Sequence, residues 1–335
     1  MSELLEQAKN ERARQMILGS FLADAATMGL HWIYDQQEIA DLVSSNNQSG
    51  VFFNPPVSKY YNYEHGKLSP YGDENLPLLD SLACSSGKFD NENFANLSFD
   101  FFSAYKGRLN SPIKQFVDNR KAGKPFTECA AVDHQAQGII KMPLVVARYG
   151  GRGTPDELRE AAEKAVQVLQ DSTVSIAASV LVALVLERVL ETGCSPEEAV
   201  RWAGEGGATV GVPVVAQPIL SFLLNDAWVL EWTHLRRALV ASPGGPPVAA
   251  RVFVYVLAVA AGASSPRQTV AALAQDEGEH LEFGDEERAT LAAALTVAAG
   301  ADMPEDGYSL QDRLLAMGLS CALPACLHRA THRLV

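Results

Sequence analysis

Residues 172–186 read STVSIAASVLVALVL, fifteen positions without a charge. A helix that spans a bilayer needs about 20 consecutive apolar residues. This stretch falls short of that and fits a helix buried in a protein core. Gln170, Asp171 and Ser172 stand at its mouth, where a polar residue caps the first turn. The fold class follows from how the rest of the chain packs around such a helix.

Working outward, helical signals dominate. Over residues 4–34, Ile17, Phe21, Leu22, Ala25 and Met28 recur close to a 3.6-residue period. The same pattern predicts helices over 73–86, 92–106, 127–149 and 155–170, with Asp, Asn or Thr-Pro at several starts. After Gly193, Ser195 reads as a cap, Pro196 as the first helical position, and two glutamates follow. SSPRQTVAAL at 264–273 has the same shape. Strand signals are nearly absent. VFFNPPVSKYYNY (51–63) carries aromatic and β-branched residues, but its prolines and asparagines predict an irregular loop. The expectation is an all-α protein of about a dozen helices, a compact multi-helix bundle formed as one domain over residues 1–335.

The totals agree with a soluble globular chain. Of 335 residues, 47% are hydrophobic and 20% charged, which is wrong for a disordered protein. A net charge of −13 argues against non-specific nucleic-acid binding, which needs surplus Lys and Arg. The five cysteines form no CxxC, and their odd number suggests ordinary thiols in a reducing compartment. The opening MSELLEQAKNERARQM is charged and helical in pattern, unlike a secretory signal. A cytoplasmic protein that contacts neither membrane nor nucleic acid is expected. Asparagine occurs eleven times before residue 150 and once after it, yet no linker-like stretch marks the transition.

Four places carry polar residues that a helix core does not need. In GSFLADAATMGLHWIYD (19–35), Asp24 lies among small and apolar residues on a helix that reads as buried. A buried carboxylate is costly unless paired, hydrogen-bonded or metal-bound. His31 and Trp32 follow where that helix should end, which suits the helix dipole and core packing equally well. In YGDENLPLLDSL (71–82), Asp73 and Glu74 suit a helix start; a metal role needs more oxygen ligands, because Mg²⁺ takes about six. In AVDHQAQGIIKMPLVVARYGG (131–151), Asp133 reads as a cap, while His134, Gln135 and Gln137 exceed what a cap requires and Lys141 interrupts the apolar rear. The fourth place is the Gln170–Ser172 mouth. No GxGxxG, GxxxxGK[ST], HExxH or GxSxG motif is present.

In their order, ADAATMGLH (23–31), SPYGDENLPLLDSL, DHQAQGIIKMPLVVARYGG and VLQDSTVSIAAS resemble the ADP-ribosylglycohydrolase superfamily, and most of all its J-type crystallin branch. The likeness covers about residues 14–205, and GLSCALPACLHRATH (318–332) resembles a later segment. It implies an all-α fold, one or two Mg²⁺ ions, and cleavage of the glycosidic bond between ADP-ribose and a protein side chain. ADP-ribose or an ADP-ribosylated protein would then be the partner.

Carried over residue by residue, the resemblance makes Asp73 and Glu74 the catalytic metal ligands, at a place where the family typically reads Thr-Asp-Asp-Thr. Asp24, His31, Trp32, Asp133 and Gln135 become substrate-binding residues, with Asp24 in the first motif and His31 where the hydrolases have glutamate. Lys141 is implied to face the cleft. The family's closing Gly-Gly-Asp-x-Asp-Thr type motif is expected to be missing, and Asp302 in AAGADMPED (298–306) is its nearest substitute as a metal ligand. The competing expectation is a catalytically inactive protein, either structural like the crystallins or an ADP-ribose-binding module.

Overall fold

Nine α-helices and three short 3-10 turns make up the regular structure of the described residues in the computed structural model. These are residues 2–203 without 34, 35, 49–51, 59, 61, 86, 87, 134, 135, 195–197, 200 and 201. The helices are α1 (Ser2–Thr27), α2 (Gln36–Asn46), α3 (Pro70–Asp73), α4 (Asn75–Cys84), α5 (Asn91–Ala104), α6 (Ser111–Lys121), α7 (Met142–Tyr149), α8 (Pro155–Gln167) and α9 (Thr173–Thr192). The 3-10 turns are Met28–Leu30, Phe126–Glu128 and Ala136–Lys141. The fold is all-α. Among the described residues the nearest thing to a sheet is one isolated parallel bridge, Ala131 to Gln170.

The uncharged stretch is a buried helix. In α9, Ala177, Ala178, Val180, Leu181, Val182, Ala183, Val185 and Leu186 are each no more than 1% exposed. Ser172 caps its start by accepting from the Ser175 amide at 3.3 Å. Gly193 ends it at φ +67°, a left-handed conformation that glycine adopts without a side-chain penalty. α8, α7, the 3-10 turn 136–141 and α1 pack around it. α8 opens with a reciprocal capping box between Thr154 and Glu157. No helix among the described residues is long and apolar enough to cross a membrane.

α1 runs along the same core. Ile17, Phe21, Ala25 and, one turn on, Met28 are at most 1% exposed, which matches the apolar period in the sequence. A second layer stacks α4 on α5 and α5 on α6.

One predicted helix is not continuous. Residues 127–149 hold a 3-10 turn, an extended piece, a second 3-10 turn and only then α7. Backbone bonding to the chain before α9 is the reason: the Ala131 amide donates to the Leu169 carbonyl at 2.9 Å, and the Asp171 amide donates to the Ala131 carbonyl at 2.8 Å. Those bonds hold the chain extended where local periodicity alone favours a helix. The first predicted helix also ends earlier, at Thr27 rather than 34. The described residues of 51–63 form no regular element, as their prolines suggested. The helical signals at 195–197 and 264–273 lie outside the described residues.

Candidate functional site

Ser69-Pro70 starts the short helix α3 in the usual way. The Ser69 hydroxyl accepts from the Tyr71 amide at 3.1 Å, and proline fills a first-turn position whose missing N–H costs nothing. That local choice aims the start of α3 at α1. Asp24, 2% exposed, accepts from the Ser69 amide at 2.6 Å and from the Ser69 hydroxyl at 2.6 Å. The Gly72 amide adds a further bond. Gly72 is required sterically, because a Cβ there would run into the Asp24 carboxylate and the Leu68 side chain. Burial pushes Asp24 up to about 6 despite these donors, and the charge of Glu74 adds to the rise.

Asp73 ends α3 and is half-buried. It receives a hydrogen bond from the Tyr105 hydroxyl, which leads into a relay. Tyr63 and Tyr105 share a bond of 2.7 Å between their hydroxyls, and the Arg108 amide donates to the Tyr63 oxygen at 3.2 Å. The only assignment that satisfies all three bonds runs Arg108 N–H to Tyr63, Tyr63 O–H to Tyr105, and Tyr105 O–H to Asp73. Burial raises Asp73 to about 7; the Tyr105 bond and Lys67 pull it down, while Asp24 and Glu74 push it up. Burial and the neighbouring carboxylate also raise the Tyr105 phenol, so it stays protonated as a donor.

Glu74, next in the chain, meets different surroundings. It is 0% exposed. Its Oε1 accepts from the side-chain amides of Asn110 and Gln137, and its Oε2 accepts from Lys141 Nζ at 2.9 Å. Lys141 is itself only 2% exposed. Asn110 also caps α6 by accepting from the Ile113 amide at 3.1 Å, and Asn75 ties α4 to the Ile140 carbonyl at 2.8 Å.

His31 and Trp32 form a wall above α3. Burial pushes the His31 imidazole down to about 4, so it is neutral near pH 7, and its ring meets Tyr71 edge-on at 6.3 Å. Trp32 adopts φ +63° and donates its indole N–H to the Tyr71 hydroxyl at 3.0 Å. Tyr60 stands edge-on to Trp32 at 5.4 Å, and the Arg108 guanidinium lies 5.9 Å from the Tyr60 ring. One tyrosine-rich face thus joins Trp32, Tyr60 and Tyr71 to the relay through Arg108.

The structure gathers Asp24, Asp73 and Glu74 around α3 and joins His31 and Trp32 to them through Tyr71. Asp133 lies in the extended piece after Ala131, where its backbone carbonyl accepts from the Gln170 side chain at 2.8 Å. Gln135 and Asp302 lie outside the described residues. Ser69, Tyr63, Tyr105 and Asn110 are members that sequence reasoning missed. Ser69-Pro70 and Asn110-Ser111-Pro112 each carried a local capping signal; the tyrosines reach Asp73 from 10 and 32 positions away.

The donors divide over a hard cation. Asp24 and Asp73 suit one, being buried carboxylates whose ionisation is opposed by like charge: Asp24 and Glu74 act on Asp73, and Glu74 on Asp24. Glu74 does not suit one, since its Oε2 already carries the Lys141 ammonium, whereas the Ser69 amide and hydroxyl that meet the two oxygens of Asp24 are neutral donors and do not compensate its charge. No group of three or more His, Cys, Asp and Glu able to hold a metal occurs among the described residues.

The model of the family described as ADP-ribosylglycohydrolase matches residues 5–280. Crystallin J1A of Tripedalia cystophora is 30% identical over 210 residues, covering 57% of this chain and 62% of that protein. Crystallin J1B of the same animal is 27% identical over 209 residues with the same coverage. The chain therefore spans about 62% of the length of these relatives. A solved chain titled "ADP-ribosylglycohydrolase-related protein complex" aligns over 88% of this chain and 98% of its own, at 16% identity and a TM-score of 0.43, too loose a likeness to argue from. Because the family model matches 276 of the 335 positions, this chain belongs to the ADP-ribosylglycohydrolase family.

Proposed function

We propose that this chain binds an ADP-ribosyl group beside α3 and hydrolyses the glycosidic bond that joins it to a protein side chain. The observation that carries the reading is the pair Asp24 and Asp73, held around Gly72 and backed by the Tyr105–Tyr63 relay. Mg²⁺ bound at this pair, with further ligands from outside the described residues such as Asp302, would orient ribose hydroxyls and polarise a water. The protein's own residues act as follows. Asp24, fixed by Ser69 and Gly72, holds the carboxylate end of the site in one place. Asp73, held by the Tyr105 hydroxyl at the end of α3, turns its carboxylate toward a partly open edge where it can take a cation or a ligand hydroxyl. Neutral His31, with Trp32 and Tyr71, offers an apolar wall with few donors, suited to the ribose and base of the ligand. Asp133 and Gln135 would complete the substrate contacts from the 131–137 segment. A cytoplasmic setting goes with this reading and with the free thiols of Cys84, Cys129 and Cys194.

A second reading is a non-catalytic ADP-ribose-binding or structural protein. The engagement of Glu74 by Lys141, Asn110 and Gln137 favours it, because one of the two carboxylates expected at the metal carries an ion pair. Calorimetric titration with Mg²⁺ and ADP-ribose separates the readings. Mg²⁺-dependent micromolar ADP-ribose binding that disappears in Asp73→Ala, with release of ADP-ribose from modified protein, supports the hydrolase. Binding without any Mg²⁺ requirement supports the module, and absence of both leaves a structural role.

A further inference from the structure

We infer that Lys141 is the resident cation of Glu74: its ammonium takes the place that a divalent ion would hold at this carboxylate. Glu74 is then a structural anion, and any metal capacity of the site is confined to the Asp73 and Asp24 side. Four observations carry this. The ion pair is buried on both sides, with the two side chains 3% and 0% exposed, and its N–O distance is 2.9 Å. Oε1 is already shared by the Asn110 and Gln137 amides, so both lone pairs of that oxygen are taken and the remaining oxygen faces the Lys141 ammonium. The three donors come from two segments remote in sequence: Asn110 from the cap of α6, Gln137 and Lys141 from the 3-10 turn before α7. Asn75, the residue after Glu74, independently ties α4 to Ile140 beside Lys141, so the cage is held shut by a bond that does not involve the charges.

A buried carboxylate needs a counter-charge, and a fixed ammonium supplies it without any ion from solution. The arrangement also explains why Lys141 interrupts an otherwise apolar stretch, GIIKMPLVV. The lysine is also anchored by its place in the chain, because α7 follows it directly and buries Met142, Leu144, Val145 and Val146.

The inference does not depend on whether Asp73 holds a metal or whether the chain hydrolyses anything, so its test counts ions at Glu74 alone. Mn²⁺ bound per chain is measured by paramagnetic resonance on folded wild type, Lys141→Ala, Lys141→Ala/Glu74→Gln and Glu74→Gln. Cutting Lys141 to alanine opens space beside an unpaired carboxylate, so the stoichiometry is expected to rise by one over wild type, whatever the wild-type value. Adding Glu74→Gln returns it to wild type, and Glu74→Gln alone leaves it unchanged. A Lys141→Ala protein with unchanged stoichiometry overturns the inference, as does a Glu74→Gln protein that loses an ion. If Lys141→Ala does not fold without added Mn²⁺, refolding that Mn²⁺ restores, and that Glu74→Gln abolishes, supports it; failure of Mn²⁺ to restore folding overturns it.

Discussion

Asp73 and Glu74 are adjacent in the chain, yet α3 ends between them and sends their side chains into different surroundings. Glu74 meets an ammonium and two amides and is sealed from solvent. Asp73 meets a phenol that belongs to a relay, and its charge is opposed by two other carboxylates. The first arrangement is a charge-neutral cage that holds three segments together. The second keeps an anion under electrostatic pressure at a partly open edge, which is the condition expected of a group that binds or reacts rather than one that only supports the fold. Proximity in sequence therefore says little about shared role here; the counter-charge decides it.

The largest effect is expected from breaking the cage. Lys141→Met leaves Glu74 buried without a counter-charge, and loss of one member of a buried ion pair costs about 3–5 kcal/mol. Chemical denaturation should show that loss, while the double variant Lys141→Met/Glu74→Gln, which removes the charge and keeps an acceptor for Asn110 and Gln137, should recover most of it. A small loss in the single variant would mean that Glu74 reaches solvent or another cation.

On the other side of the comparison, stability should depend on pH in the direction set by raised carboxylates. Asp24 stands at about 6 when folded, against an ordinary value of 3.8. The folded chain thus holds this proton more tightly than the unfolded one. The stabilisation is complete below about 3.8 and is lost as pH rises through 6. At 1.36 kcal/mol per unit, the loss is on the order of 2–3 kcal/mol. Asp73, raised to about 7, extends the decline toward neutrality. Melting temperature against pH, compared with Asp24→Asn, isolates the first part, and the variant should flatten the profile between 4 and 6. Flattening of the wild-type curve by added Mg²⁺ would mark a cation held between the two aspartates.

A change one position before Asp73 comes next in size. Gly72→Ala puts a methyl group against the Asp24 carboxylate and Leu68. Overpacking of this kind costs about 1–3 kcal/mol. The backbone here is helical, so crowding and not strain would be responsible, and Gly72→Ala/Asp24→Ala should restore part of the loss. Without that coupling, Asp24 would be free to move aside and would not be fixed by α3.

How much of this could be seen in the sequence varied with range. The buried helix 172–186 was legible because an uncharged run of that length has few other fates, and Ser172 and Gly193 marked its ends. The burial of Asp24 was legible for the same reason, since its helical neighbours are small and apolar. The break of the 127–149 helix was not, because the bonds that straighten it come from residues 169 and 171. Nor was the division between Asp73 and Glu74. Both suit a helix start locally, and their difference depends on Lys141, 67 residues from Glu74, and Tyr105, 32 from Asp73. The reason for a glycine at 72 was equally hidden, because the group a side chain there would strike is Asp24, 48 residues away.

Tyr105→Phe tests the relay with the smallest expected cost. The ring stays, still packed edge-on against Phe102 at 5.4 Å, so only the hydroxyl is removed. Asp73 loses its donor and Tyr63 loses its acceptor, for a net loss of about 1–2 kcal/mol given that one partner is charged. Because that donor pulls the Asp73 value down, its removal should move the carboxylate above its present value of about 7. Carbon-13 NMR of the Asp73 carboxyl would read the shift directly, while Asp24 should move far less, since Tyr105 is not among its bonding partners. Lys141→Met, by contrast, should leave the Asp73 titration nearly in place while unsettling the fold. Opposite responses of the two variants would show that adjacent carboxylates are governed by separate partners; a common response would join them into one coupled site.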